Sequence, residues 1–139
     1  MADNYYQATV SPDLPASLFS EGELVALETA CGLSHERDGE DLYLYADTSF
    51  REEGDYVRAG EDATINCLTL LQEKLRQLDA DAYPHIAIQG AATCSKIRPG
   101  ELGGFAYLIT RHGIRSMSTW EWLEVITAGD RTFRPDTAA

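Results

Sequence analysis

The chain has 139 residues, 44% of them hydrophobic, and its 23 acidic and 11 basic side chains give a net charge of −12. That length suits one compact domain burying roughly two-thirds of its unfolded surface, with no metal or disulfide needed for folding. The charge argues against direct nucleic-acid binding, which needs Lys and Arg to displace counterions.

Residues 1–130 read as a single α+β domain and 131–139, RTFRPDTAA, as a flexible C-terminal tail. The acidity is uneven: residues 1–83 hold 18 acids and 5 bases, residues 84–139 hold 5 and 6. Cys31, Cys67 and Cys94 are odd in number, far apart and without CxxC spacing, so free and mostly buried thiols in a reducing, cytoplasmic setting are expected. The opening MADNYYQATVSP lacks a basic segment followed by an apolar one. No run approaches the roughly 18 apolar residues of a membrane span, and no membrane association is expected.

In chain order, residues 5–10 alternate as a strand, with Tyr6, Ala8 and Val10 on one face and Tyr5, Gln7 and Thr9 on the other. Pro12 and Pro15 mark a loop over 11–17. Ser20 and Glu23 then form an S-x-x-E capping box, with Phe19 and Leu24 as a hydrophobic staple, and Gly32 closes this first helix. Leu24, Leu27 and Cys31 mark its buried stripe.

Asp38-Gly39 predicts a tight turn between two strands, in the second of which Leu42 and Leu44 alternate with Tyr43 and Tyr45. Leucines facing the core leave the tyrosines on the opposite face. Residues 47–60 read as a surface loop. Ile65, Leu68, Leu71, Leu75 and Leu78 predict a helix over 61–78, capped by Gly60 or Asp62 and packed against the sheet.

Three strands follow, over 85–95, 105–111 and 114–117, joined by KIRPGELGG and by a turn at His112-Gly113. A second capping box, Ser118 with Glu121, starts a last helix with Met117 and Trp122 as its staple and Gly129 as its stop. The order predicts one antiparallel-rich sheet with helices on one face: a ferredoxin-like βαββαβ core extended by a β-hairpin and a C-terminal helix.

Chemistry is sparse. Cys94 with His85 or His112 is the candidate nucleophile and base of a small cysteine-dependent enzyme, although Cys94 shares a strand face with Ile86 and Ile88. The three histidines are too dispersed for a metal site, PGELGG matches no phosphate-binding pattern, and no cofactor is implied. Lys96, Arg98, Arg111 and Arg115 are candidates for a small basic strip.

The remaining feature is an acidic block, ten acids against Arg37, Arg51 and Arg58 between positions 36 and 62. Drawn from a hairpin tip, a loop and a helix start, these acids can converge on one surface that steers onto a basic groove. In size, acidity and lack of a catalytic signature the chain resembles, by composition alone, two groups of proteins. One is the small inhibitors made by phages and plasmids against CRISPR or restriction enzymes; the other is the immunity proteins that neutralise nuclease toxins. The resemblance implies a non-catalytic acidic binding protein, a nucleic-acid mimic that occupies the basic surface of a nucleic-acid-binding partner. Asp38, Glu40, Asp41, Glu52, Glu53 and Asp55 are the expected contacts, with Tyr43 and Tyr45 as anchors. The protein itself is expected to be a monomer or homodimer.

Overall fold

A computed structural model describes residues 4–52, 54–57, 64–99 and 101–129. The chain runs β1 (Asn4–Ser11), β2 (Leu14–Pro15), α1 (Glu21–Ala26) with a π-helical final turn (Leu27–Cys31), β3 (Ser34–Asp38), β4 (Asp41–Ala46), β5 (Asp55–Val57) and β6 (Thr64–Asn66). It continues through α2 (Cys67–Arg76), β7 (Ile86–Cys94), β8 (Gly103–Ile109), β9 (Ile114–Ser118) and α3 (Thr119–Gly129).

The main sheet has the order β2-β4-β1-β7-β8-β9, with β3 also paired to β4, and all its named strand pairs are antiparallel. Taking β1, α1, β3, β4, α2 and β7 in turn, the strands lie β3-β4-β1-β7. This is the order of the expected ferredoxin-like core, and the β8–β9 hairpin extends it at the β7 edge. Strands β5 and β6 form a separate two-stranded ribbon.

Register fixes the two faces of the sheet. Val10 stands opposite Ile88, which stands opposite Tyr107, while Thr9 stands opposite Gln89 and Tyr45. The first set faces the helices. Val10, Leu42, Leu44, Ile86, Ile88 and Ile109 are buried there under Leu27, Leu70, Leu71 and Leu75. Each such buried aliphatic side chain contributes about 1.5–3 kcal/mol relative to exposure.

The α1 capping box forms as its residues dictate: the Glu23 N–H donates to Ser20 Oγ at 3.1 Å and the Ser20 N–H to Glu23 Oε1 at 2.9 Å. Gly32 ends the helix in the left-handed region at φ 75°. Its missing Cβ also admits the Ser49 carbonyl, which a side chain there would meet. Helices α1 and α2 are tied by the ion pair of Glu23 with Lys74, 2.8 Å long, the ammonium lying 5.7 Å from the Phe19 ring centroid. Burial alone would raise the Glu23 carboxyl; the hydrogen bonds from Lys74 and Ser20 and the Lys74 charge outweigh it and hold its pKa below the usual 4.5.

Several expectations are corrected. Cys31 and Cys67 are not free thiols but form a disulfide between the end of the first helix and the start of α2, with Cα atoms 6.4 Å apart. The argument for a reducing setting from unpaired cysteines therefore falls away. Helix α2 begins at Cys67, not 61, because Asn66 caps it: Asn66 Oδ1 accepts from the Leu68 N–H at 2.8 Å. The expected caps at positions 60 and 62 lie outside the described residues, as do 131–139. Part of the expected 47–60 loop is strand β5, and part of the 11–17 loop is strand β2.

The hairpin turn consists of Gly39 and Glu40, one residue later than read, because Asp38 pairs with Asp41 and Gly39 takes the positive φ. At α3, Ser118 Oγ accepts from the Glu121 N–H at 3.1 Å. The expected staple pair stays exposed, Met117 at 49% and Trp122 at 46%. Register explains this: Met117 pairs with Ala106 on the open face, and the indole that turns inward is Trp120, seated over Gly103.

Candidate functional site

The face of the sheet opposite α1 and α2 carries the tyrosines. Leu42 and Leu44 take the core side of β4, so Tyr43 and Tyr45 project from the other, their rings stacked with centroids 5.3 Å apart and planes at 18°. A shallow depression of about 510 Å³ lies beside them, lined by Gln7, Thr9, Asp47, Gln89 and Ala91.

Three acids of the β3–β4 hairpin share this face by register. Glu36 stands opposite Tyr43 and Asp38 opposite Asp41, with Glu40 in the turn between them. The Tyr45 hydroxyl donates to Glu36 Oε1 at 3.3 Å. The Glu36 charge, some desolvation and that hydrogen bond raise the Tyr45 pKa above its ordinary 10.0, so the donor stays protonated. Asp38 and Asp41 thus place two carboxylates directly opposite each other across the strand pair.

Glu52 and Asp55 do not join this group. The Tyr107 hydroxyl donates to Glu52, and Tyr107 lies on the helix side of β8, three strands from β4. Asp55 is at the start of β5, where Asn66 Nδ2 reaches its Oδ1 at 3.4 Å and the Glu52 carbonyl at 2.9 Å. Glu53 lies outside the described residues. The acids expected on one surface are thus split between the hairpin and a loop on the other face, because the chain crosses to the helix side at Phe50, which is buried.

The cysteine and histidine candidates are also separated. Cys94, 8% exposed and unpaired, ends β7, whereas His85 immediately precedes that strand and His112 sits in the β8–β9 turn. Ile86 pairs with Ile109 and Ile109 with Ile114, which puts both histidines at the far end of β7. Eight residues of strand are about 26 Å, so neither imidazole reaches the thiol. The polar contact at Cys94 Sγ is the Lys96 N–H, at 3.4 Å.

The four basic residues form no strip. Arg98 pairs with Glu101 at 3.3 Å, and Arg115 stands on the open face. Arg111 turns back to cap α2, its guanidinium donating to the carbonyls of Leu75 at 3.0 Å, Leu78 at 2.9 Å and Tyr83 at 2.8 Å. Among the described residues, no group of three or more His, Cys, Asp or Glu side chains converges as a metal site would require. Nor is any described helix long and apolar enough to cross a membrane.

Sequence reasoning missed a second concavity, a cleft of about 830 Å³ on the helix side of the sheet among β8, residues 50–52 and 54, and the start of α3. Its residues come from five separated places in the chain, so no local pattern announces it. The available signal was a pair of strand glycines, Gly90 and Gly103, on the strand face that also carries Ile86, Ile88, Phe105 and Tyr107. Comparison with known proteins finds no matching family, no matching curated protein and no matching solved structure.

Proposed function

We propose that this is a non-catalytic acidic binding protein that presents its open sheet face to a basic, nucleic-acid-binding surface of a partner protein. Such a contact would block the partner as phage and plasmid inhibitors of CRISPR or restriction enzymes do. The observation that supports this most directly is the stacked Tyr43–Tyr45 pair, set on the face opposite α1 and α2 with Glu36 hydrogen-bonded to it. Stacked tyrosines offer a stiff apolar contact with polar tips, the composition of an interface anchor. The hairpin acids around them supply long-range attraction to Lys and Arg.

The contact set is accordingly Glu36, Asp38, Glu40, Asp41, Tyr43 and Tyr45, while Glu52 and Asp55 belong to the other face. The test is affinity capture of partners at low and high salt with the native protein, an Asp38→Lys/Glu40→Lys/Asp41→Lys variant and a Tyr43→Ala/Tyr45→Ala variant. Partners captured by the native protein should be lost with both variants and weakened by salt. Capture that survives the charge reversal at low salt shows instead that these acids only keep the protein in solution.

A further inference from the structure

We propose that the helix-side cleft is a binding site for an organic cation, an alkylated ammonium or a guanidinium. Its volume of about 830 Å³ lies within the range of small-ligand sites. Aromatic rings build it. Phe105 packs against Phe50 and Tyr107 with centroids 5.5 and 5.9 Å away, forming a continuous floor, and Tyr6 and Trp120 line the walls.

This lining depends on two missing side chains. A Cβ on Gly103 would come within 2.6 Å of Trp120 Cζ2 and Cη2, and one on Gly90 would overlap the Phe105 ring. The indole and the phenyl ring therefore lie where only glycine lets them lie. Trp120 reaches its seat from the first turn of α3, one residue before Glu121.

Charge selects the ligand class. Glu52, held by the Tyr107 hydroxyl, and Glu121, on α3, put two carboxylates on the lining. Arg51, the one cation among the described lining residues, donates to the Thr29 carbonyl at 2.8 Å, and the two carboxylates outnumber it. Ring faces carry negative quadrupole potential, and a cation over them beside a carboxylate gains from both. A neutral apolar ligand would desolvate the two carboxylates without compensation. A bare metal ion would find too few oxygen ligands. The cation would be either the side chain of a partner's Arg or methylated Lys, or a free small molecule.

The chain's two tryptophans allow a direct test. In a Trp122→Phe background, Trp120 is the only fluorophore of its kind, and its emission is followed while adding choline, Nα-acetyl-arginine amide or Nα-acetyl-trimethyllysine amide. A saturable change is expected with at least one cation, absent with 3,3-dimethylbutanol, the neutral analogue of choline. Glu52→Gln and Glu121→Gln should each weaken it roughly tenfold. Response to choline alone identifies a free small molecule as the source; response to the amino-acid amides alone identifies a partner side chain. No saturable change below about 10 mM, or an equal response to the neutral analogue, overturns the proposal. The cleft and the hairpin lie on opposite faces, so reversing Asp38, Glu40 and Asp41 leaves this titration unchanged and the two readings fail separately.

Discussion

The Cys31–Cys67 bond makes a prediction whose size follows from its place in the chain. It links residues 36 positions apart and joins the end of the first helix to the start of α2. Reducing it restores freedom to the unfolded chain, and the loop-entropy relation gives about 3.8 kcal/mol at 25 °C for a loop of that length. Both sulfurs sit in the core cluster with no solvent exposure, so the reduced thiols still fill the same space. The loss should therefore fall on the cross-link and not on packing. Urea unfolding with and without a phosphine reductant measures it: with a slope of about 2 kcal/mol/M, the midpoint should fall by about 2 M. Thiol alkylation in denaturant provides the companion count, one reactive cysteine before reduction and three after it. Three before reduction would show that the bond does not form, and a midpoint shift below about 0.3 M with the bond confirmed would refute the entropic account.

Two further predictions concern the helix ties. Arg111→Met removes three charge-assisted hydrogen bonds to carbonyls at the end of α2 and at Tyr83, and should cost about 2–3 kcal/mol in chemical denaturation; a loss under about 0.5 kcal/mol would mean the carbonyls are equally well served by water. Because the folded Glu23 carboxyl is held below 4.5, its ion pair with Lys74 stabilises the fold above that pH and is lost as the pH falls through the lowered value. The thermal stability of Glu23→Gln should accordingly decline less steeply than that of the native protein under acid conditions, and parallel declines would dissociate Glu23 from the effect.

How much of this was legible in the sequence depended on the distance between interacting residues. The Ser20–Glu23 box, the Gly32 stop and the alternation of Leu42 and Leu44 with Tyr43 and Tyr45 rest on contacts within a few residues, and all appear in the structure. The ferredoxin-like strand order was also within reach, since connection rules leave few ways to arrange the elements. Asn66 was missed as a cap because the leucine period continues back to Ile65, hiding the short strand that precedes α2. The disulfide was missed because nothing local distinguishes Cys67 from Cys94; what pairs Cys31 with Cys67 is the packing of two helix ends. The acidic block misled for the same reason, since adjacency in sequence says nothing about which face of the sheet a loop crosses to.

The split of those acids changes what the charge can mean. On each face one acid of the block is joined to a tyrosine: Glu36 accepts from Tyr45 on one and Glu52 accepts from Tyr107 on the other. A tyrosine hydroxyl that fixes a carboxylate beside its own ring lowers the entropy lost when a cation later settles against both, which is preorganisation in its simplest form. On the open face this pairing accompanies a broad, shallow surface, the form the proposed protein contact requires; on the helix side it accompanies an aromatic cleft of about 830 Å³, roomy enough for the proposed cation. Under the two proposals the same pair of residue types would serve two different scales of recognition, with the curvature around each tyrosine deciding which.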